Sequence, residues 1–165
     1  MTAVIYRGDR SGTGFFHRTV QYWLDKTEVA ELVQAAVGSA DWSRPNSEGR
    51  SGRERTVRTE LMLAVLTYCY ALGMSRATEI EAAIASGLVK IGVVDGAPLD
   101  RFALIHFRRH HRDLLSDCLT YVLERLLATP SGRGDAVAVV SERAAAQARE
   151  RIERAIEQDC LDRDA

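Results

Sequence analysis

Apolar residues recur at three- and four-residue spacings along most of the chain, a pattern that predicts helices. Residues 57–72 form the most apolar segment and leave little polar face, so they predict a buried helix that Gly73 ends. A second stripe runs along residues 101–127, and Asp100 stands at the N-cap position before it. We therefore predict an all-α fold, a single helical domain of about five helices. In it the central apolar helix 57–72 packs against the long basic helix 101–127.

Two shorter helices are predicted beside this pair. Residues 25–38 carry one apolar stripe, and Gly38 supplies the C-terminal stop. Ser75 is the expected cap of the other helix, which Gly87 ends. Both helices are short enough to flank the central pair and to complete its core.

The predicted organisation has three parts. Residues 1–24 are an N-terminal lead, residues 25–128 are the helical domain, and residues 129–165 are a linker and a charged helix. Ser141 is the expected cap of that last helix, which is charged on most sides. Its narrow apolar seam is too thin to support an isolated helix and must dock on something. The seam consists of Val140, Ala144, Ala148, Ile152 and Ile156.

Composition narrows the class of protein further. With 46% apolar and 27% charged residues, the 165-residue chain has enough apolar side chains for one core. It shows no apolar leader, and no apolar run approaches the ~18 residues of a membrane span, so we expect a cytoplasmic protein. The odd number and wide spacing of the three cysteines exclude a disulfide framework and a zinc ribbon. Cys69 and Cys118 fall in apolar runs and are expected in the core.

Charge is divided unevenly along the chain. Residues 44–112 carry a formal charge of +4, residues 113–165 carry −4, and residues 1–43 carry −1. Within the basic part, segment 101–112 holds four arginines and three histidines. A metal site, a solvated helix face and a surface for a polyanion are the three interpretations. We favour the polyanion, because the start of this helix also offers free N–H groups to a phosphate and Arg101 adds charge there.

Metal binding and catalysis have weaker support. His106 and His110 lie four residues apart, a spacing that lets two imidazoles share one ion. Arg108 and Arg109 stand between them and no third ligand is evident, so we expect no metal and no other cofactor. His111 falls on the apolar stripe and is expected to be a packed core histidine. The chain also has no serine elbow, phosphate-cradling glycine loop or recognisable Cys–His pair, so we expect no enzymatic activity.

Residues 70–84 fit a helix-turn-helix with Gly73 in the turn. The classical DNA-binding motif has an apolar residue six positions after that glycine, where this chain has Glu79. Because of this mismatch, the classical DNA-binding motif is only one of the possible interpretations of residues 70–84.

Two segments share a more distinctive pattern. Residues 57–84, "VRTELMLAVLTYCYALGMSRATEIEAAI", combine an apolar helix, a Tyr-x-x-Gly turn, Ser-Arg and an Ile-Glu helix start. Residues 99–115, "LDRFALIHFRRHHRDLL", place basic residues after an Asp-capped helix start. The pattern resembles the N-terminal helical domain of bacterial insertion-sequence transposases over about residues 57–127. The matching residues are Tyr70, Gly73, Ser75, Arg76, Ile80 and Glu81, then Asp100, Leu104, Phe107, Arg108, Arg109 and His111.

The resemblance implies DNA binding without catalysis. The ribonuclease-H-like domain that carries the Asp-Asp-Glu carboxylates of those transposases does not fit in these 165 residues. We therefore predict a non-catalytic, transposase-derived protein that binds double-stranded DNA and is a remnant, a repurposed regulator or a fragment of a longer transposase. The basic helix would contact phosphates, a neighbouring helix would add one arginine, and three further arginines would form a flexible arm. The predicted DNA-binding residues are Arg53, Arg55, Arg58, Arg76, Arg101, Arg108, Arg109, His110 and Arg112.

The alternative function is a protein–protein interaction or oligomerisation module. It would use the long helix and the acidic tail helix, with residues 141–160 docking a protein partner and the arginines pairing with carboxylates. The apolar seam of the tail can be covered by the same chain or by a symmetry mate. We favour the mate, hence a homodimer, because two DNA-contacting helices related by a twofold axis would read a repeated site.

Overall fold

The computed structural model describes residues 28–43, 57–86, 99–128 and 134–161, and its regular structure over those residues is entirely α-helical. The predicted all-α fold is therefore confirmed. The N-terminal lead at 1–24, most of the linker and Gly87 lie outside the described residues. The helices are α1 Glu28–Gly38, α2 Val57–Ala71, α3 Ala77–Ala85, α4 Arg101–His110, α5 Arg112–Leu127 and α6 Gly134–Leu161.

One apolar core joins these helices. Helix α5 packs most extensively against α6 and also contacts α1 and α2. Every residue from 60 to 67 of α2 is buried, as its lack of a polar face predicts. Cys69 and Cys118 are buried as predicted, and burial raises the pKa of both thiols to about 12. Helix α1 ends at Gly38, again as predicted.

The turn between α2 and α3 depends on Gly73. Its φ of +89° lies in the left-handed region, where a Cβ is unfavourable. This conformation lets the N–H of Met74 donate to the carbonyl of Cys69 at 2.9 Å and satisfy a carbonyl group at the end of α2. Gly73 thus ends α2 as predicted and sets the direction in which the chain enters α3.

Replacing Gly73 with alanine should lower the free energy of unfolding by about 1 kcal/mol. A Cβ there would meet no atom within 4 Å, so the cost comes from the φ angle and not from a clash. Urea denaturation followed by circular dichroism measures the change. Gly38→Ala is the matched control, because Gly38 has no positive φ. Equal effects of the two substitutions would contradict this account of the turn.

The predicted long helix 101–127 is interrupted at His111, which corrects the sequence prediction. Residue 111 has φ −117° and ψ 29°, outside the helical region, and separates α4 from α5. Its ring packs on Phe107 with 4.3 Å between ring centroids, but the residue is half-buried, so it is packed without being a core histidine. Helix α4 contacts α2, α3 and α6, whereas α5 contacts α1, α2 and α6. The break gives the two halves different packing directions, which a continuous apolar periodicity does not reveal.

Two predicted helix caps are also corrected. The N-cap of α3 is Arg76 and not Ser75, whose hydroxyl donates instead to Oε1 of Gln158 at 3.3 Å. Ser141 lies inside α6, which begins seven residues earlier, and its hydroxyl donates to Glu124 of α5. In both cases a hydroxyl that local sequence marks as a cap is used by a distant helix.

None of the described helices is both long enough and apolar enough to cross a membrane.

Candidate nucleic-acid interface

The start of α4 is occupied by carboxylates. The side chain of Asp100 accepts a hydrogen bond from the N–H of Ala103 at 2.8 Å, which confirms the predicted cap. The carboxylate of Glu81 accepts the N–H of Arg101 at 3.2 Å. The expectation that this helix start is open to a phosphate is therefore wrong, because two negative groups already stand at its N–H groups.

Helices α3 and α4 lie side by side and run antiparallel. Glu81, in the middle of α3, contacts the first residue of α4. The carbonyl oxygen of Ser75, just before α3, accepts a hydrogen bond from Nη1 of Arg108 at 2.8 Å. Arg76 follows directly and is exposed. The start of α3 therefore lies beside the basic end of α4.

The outer face of α4 combines flat and basic side chains. Phe102, Ile105, His106 and Arg109 share this face by their three- and four-residue spacing. The Phe102 ring is 67% exposed, which is unusual for so large an apolar group. His106 is exposed and stacks on His110, with 3.9 Å between ring centroids.

Arg101 is exposed, and its guanidinium lies 4.7 Å from the centroid of the Phe102 ring. Nδ1 of His110 is hydrogen-bonded to the carbonyl of His106 at 2.8 Å. Both contacts lie within α4 and hold flat groups at its surface.

Arg108 is not a surface residue, which corrects its assignment as a DNA contact. Its side chain is 0% exposed. Nη1 donates to the Tyr70 hydroxyl and to the Ser75 carbonyl, each at 2.8 Å, and Nη2 pairs with the Asp159 carboxylate at 2.7 Å. Burial raises the pKa of Tyr70 to about 12, although the charge of Arg108 acts in the opposite direction. A buried guanidinium is stable only when paired in this way, so Arg108 joins α2, α4 and α6.

Arg109 and Arg112 lie at the junction of α4 and α5, and both meet α6. Nη2 of Arg109, a half-buried residue, donates to the Cys160 sulfur at 3.6 Å. Nη2 of Arg112 forms an ion pair with Oε1 of Glu153. Both side chains of that ion pair are about half exposed, at 47% and 53%. Solvent therefore screens the pair, and the pair is weak.

The remaining predicted residues are dispersed. Arg58 is half-buried in the first turn of α2, which corrects its prediction as part of a flexible arm. Arg53 and Arg55 lie outside the described residues, so their part of the arm stays a prediction. Sequence analysis missed Arg151, whose Nη1 donates to the carbonyls of Tyr70 at 2.6 Å and Ala71 at 3.3 Å. Arg151 thus caps the C-terminal end of α2 from α6, a contact between distant segments that local patterns do not encode.

The exposed face of α3 does not suit a recognition helix. Thr78, Glu79 and Ala82 are its exposed residues before the last turn, and Glu81 is half-buried. The only formal charges in the helix are therefore negative. Phosphates on either side of a DNA groove repel such a face, which disfavours the classical helix-turn-helix use of α3.

The part of the chain that the structure describes contains no cluster of metal ligands. No group of three or more His, Cys, Asp or Glu side chains there is placed to hold an ion. His106 and His110 stack on each other instead of converging on a shared point.

The apolar seam of α6 is covered within the chain. Its residues Ala144, Ala148 and Ile152, and the neighbouring Ala155, are all at most 1% exposed in the core that α6 shares with α5, whereas Val140 is half-buried. Ile156 is half-buried against the same core. The expectation that a symmetry mate covers this seam is therefore corrected. Without that premise, the homodimer stays an untested prediction.

Comparisons of the chain with protein-family models, characterised proteins and solved structures find no match.

Proposed function

We propose that the protein binds double-stranded DNA without catalysis, as its resemblance to the transposase N-terminal domain implies. The surface that would contact DNA is the basic end, defined as Arg76, His106, Arg109, His110 and Arg112. The observation that carries the proposal is the hydrogen bond from Arg108 to the Ser75 carbonyl, which brings the neighbouring Arg76, at the start of α3, close to the C-terminal turn of α4. Phosphate contacts from arginines supply most of the sequence-independent affinity of such proteins.

Helix stabilisation is the competing explanation for the basic residues. Cations in the last turn of a helix are favourable because of the helix dipole, which accounts for Arg109 and His110 at the end of α4. The same argument runs the other way for Arg76. A cation at the N-cap of α3 faces the positive end of the dipole of α3, so helix stability does not explain an arginine there. Binding of an external anion would explain it.

The aromatic content of the outer face of α4 also supports nucleic acid as the ligand. Phe102 and the stacked rings of His106 and His110 offer flat surfaces beside arginine side chains. Such groups contact sugars and base edges, whereas the arginines contact phosphates. The contact would lie towards the end of α4, because Asp100 and Glu81 make its start unfavourable for phosphates.

Replacing Arg76 and Arg109 together with glutamine should weaken DNA binding and flatten its salt dependence. The slope of log affinity against log salt should become less negative by about 1.8, since each phosphate contact contributes about 0.9. At 0.1 M salt the affinity should fall roughly 60-fold, if both proteins bind equally at 1 M. Fluorescence anisotropy with a short duplex of mixed sequence measures both quantities.

The matched control replaces Arg125 and Arg143 with glutamine. Both residues are exposed, and their substitution removes the same two positive charges as the substitution of Arg76 and Arg109. They lie near the contact between Glu124 and Ser141, at the other end of the α5–α6 pair from Arg112 and Glu153. Equal losses from the two double variants would indicate a general charge effect and would remove the basic end as the binding surface.

The interaction-module alternative has lost its main support. Its docking element was the apolar seam of the tail, and the seam is already buried in the core that α6 shares with α5. The carboxylates of the tail remain, and at least three of them pair with arginines of the same chain: Glu153 with Arg112, Asp159 with Arg108 and Glu150 with Arg154. DNA binding is therefore the function we retain.

A further inference from the structure

The last turns of α6 face the arginines of α4 and α5. Glu153 pairs with Arg112, and Cys160 accepts a hydrogen bond from Arg109. The buried Arg108–Asp159 pair fixes the end of α6 in this position. An acidic helix thus lies directly beside the basic end, and one of its carboxylates already neutralises an arginine of that surface.

A carboxylate and a phosphate compete for the same guanidinium. Both are anions that accept hydrogen bonds from Nη atoms, and arginine binds either group in the same planar geometry. While Glu153 pairs with Arg112, a phosphate must displace that carboxylate before the arginine can make a full contact, so Arg112 contributes less to binding. The pair is exposed enough for solvent to reach it, so a change in either residue leaves the core intact.

We propose that Glu153 masks Arg112 and thereby limits the affinity of the basic end for the phosphate backbone of DNA. This inference rests on the proposed function and names its regulation by the chain itself. Unmasking needs only the Glu153 side chain to turn away, because Ile152 and Ala155 keep α6 seated in the core. Near the end of α4, Arg108 is thus structural and Arg112 is masked, whereas Arg109 is half-buried against Cys160 and Arg76 is exposed.

Glu153→Gln should bind a short mixed-sequence duplex about eightfold more tightly than the wild type at 0.1 M salt, if the two proteins bind equally at 1 M salt. The slope of log affinity against log salt should become more negative by about 0.9, because one more phosphate contact forms. Glu150→Gln is the control. It makes the same change on the same helix, but Glu150 pairs with Arg154 of α6 itself and not with the basic end.

A second test combines Glu153→Gln with Arg112→Gln in the full-length chain. The gain from Glu153→Gln should vanish when Arg112 is absent. A gain that persists in this background, or an equal gain from Glu150→Gln, would overturn the masking and indicate a general effect of net charge. If the wild type binds DNA and Glu153→Gln binds it with the same affinity, the masking is refuted and the proposed function stands. If no variant binds DNA, the proposed function fails and the masking fails with it.

Discussion

Asp159→Asn is expected to lower the free energy of unfolding by about 3 kcal/mol, because it leaves the guanidinium of Arg108 buried without a compensating charge. Both side chains are almost fully buried, at 0% and 3% exposure, so water cannot replace the lost carboxylate. The remaining partners of Arg108, the Tyr70 hydroxyl and the Ser75 carbonyl, are neutral. Urea denaturation followed by circular dichroism measures the loss.

Glu150→Gln provides the comparison for this substitution. It is also an acid-to-amide change in α6, but its pair with Arg154 is exposed on both sides, at 64% and 57%. Removing such a pair costs at most about 0.5 kcal/mol. If the two variants were equally stable, Arg108 would have to be solvated, and the position of the end of α6 would be wrong.

Arg108→Met provides a further check on the same pair. Arg108→Met combined with Asp159→Asn should be less destabilising than the sum of the two single changes, because the double variant no longer buries an unpaired charge. A purely additive result would mean that Arg108 and Asp159 do not interact.

Ile152→Ala should lower the free energy of unfolding by about 2–5 kcal/mol, because Ile152 is only 1% exposed in the core that α6 shares with α5. Ile156→Ala is the matched control, and it should cost less because Ile156 is half-buried. The dependence of the wild-type unfolding midpoint on protein concentration tests the homodimer separately. A midpoint that rises with concentration would show that folded chains associate, through the seam or through another surface.

The core was predictable because apolar periodicity reports which side of a helix is buried. Leu66, Leu115 and Leu119 lie in predicted stripes and are fully buried. Arg108 lies four residues after the buried Leu104, a spacing that is compatible with burial, but its charge led to its prediction as a DNA contact.

The partners of Arg108 were not visible in the sequence. Its carboxylate lies 51 residues away at Asp159, and its hydroxyl partner lies 38 residues away at Tyr70. The same limit applies to the caps. Ser75 and Ser141 have the local character of N-caps, yet each donates to a distant helix. The local sequence indicates which hydrogen bonds a side chain can form, but the partner that it binds depends on how the helices pack.

The exposed part of the candidate site shows a different limit. Phe102 lies off the apolar stripe of Leu104 and Phe107, so the spacing indicates exposure, but nothing in the pattern distinguishes a functional aromatic from a tolerated one. The pairing of Arg112 with Glu153 was equally hidden, because it depends on how α6 lies against α5.

The 51-residue separation of Arg108 from Asp159 also matters while the chain is being synthesised. At the usual 5–20 residues per second, roughly 3–10 s pass between the two residues leaving the peptidyl-transferase centre. During that interval α2, α3 and α4 can associate only with Arg108 still hydrated, since no carboxylate has arrived to neutralise it. We expect this corner of the core to stay open until α6 emerges, so a chain truncated before residue 159 should be more sensitive to proteases than the 165-residue chain.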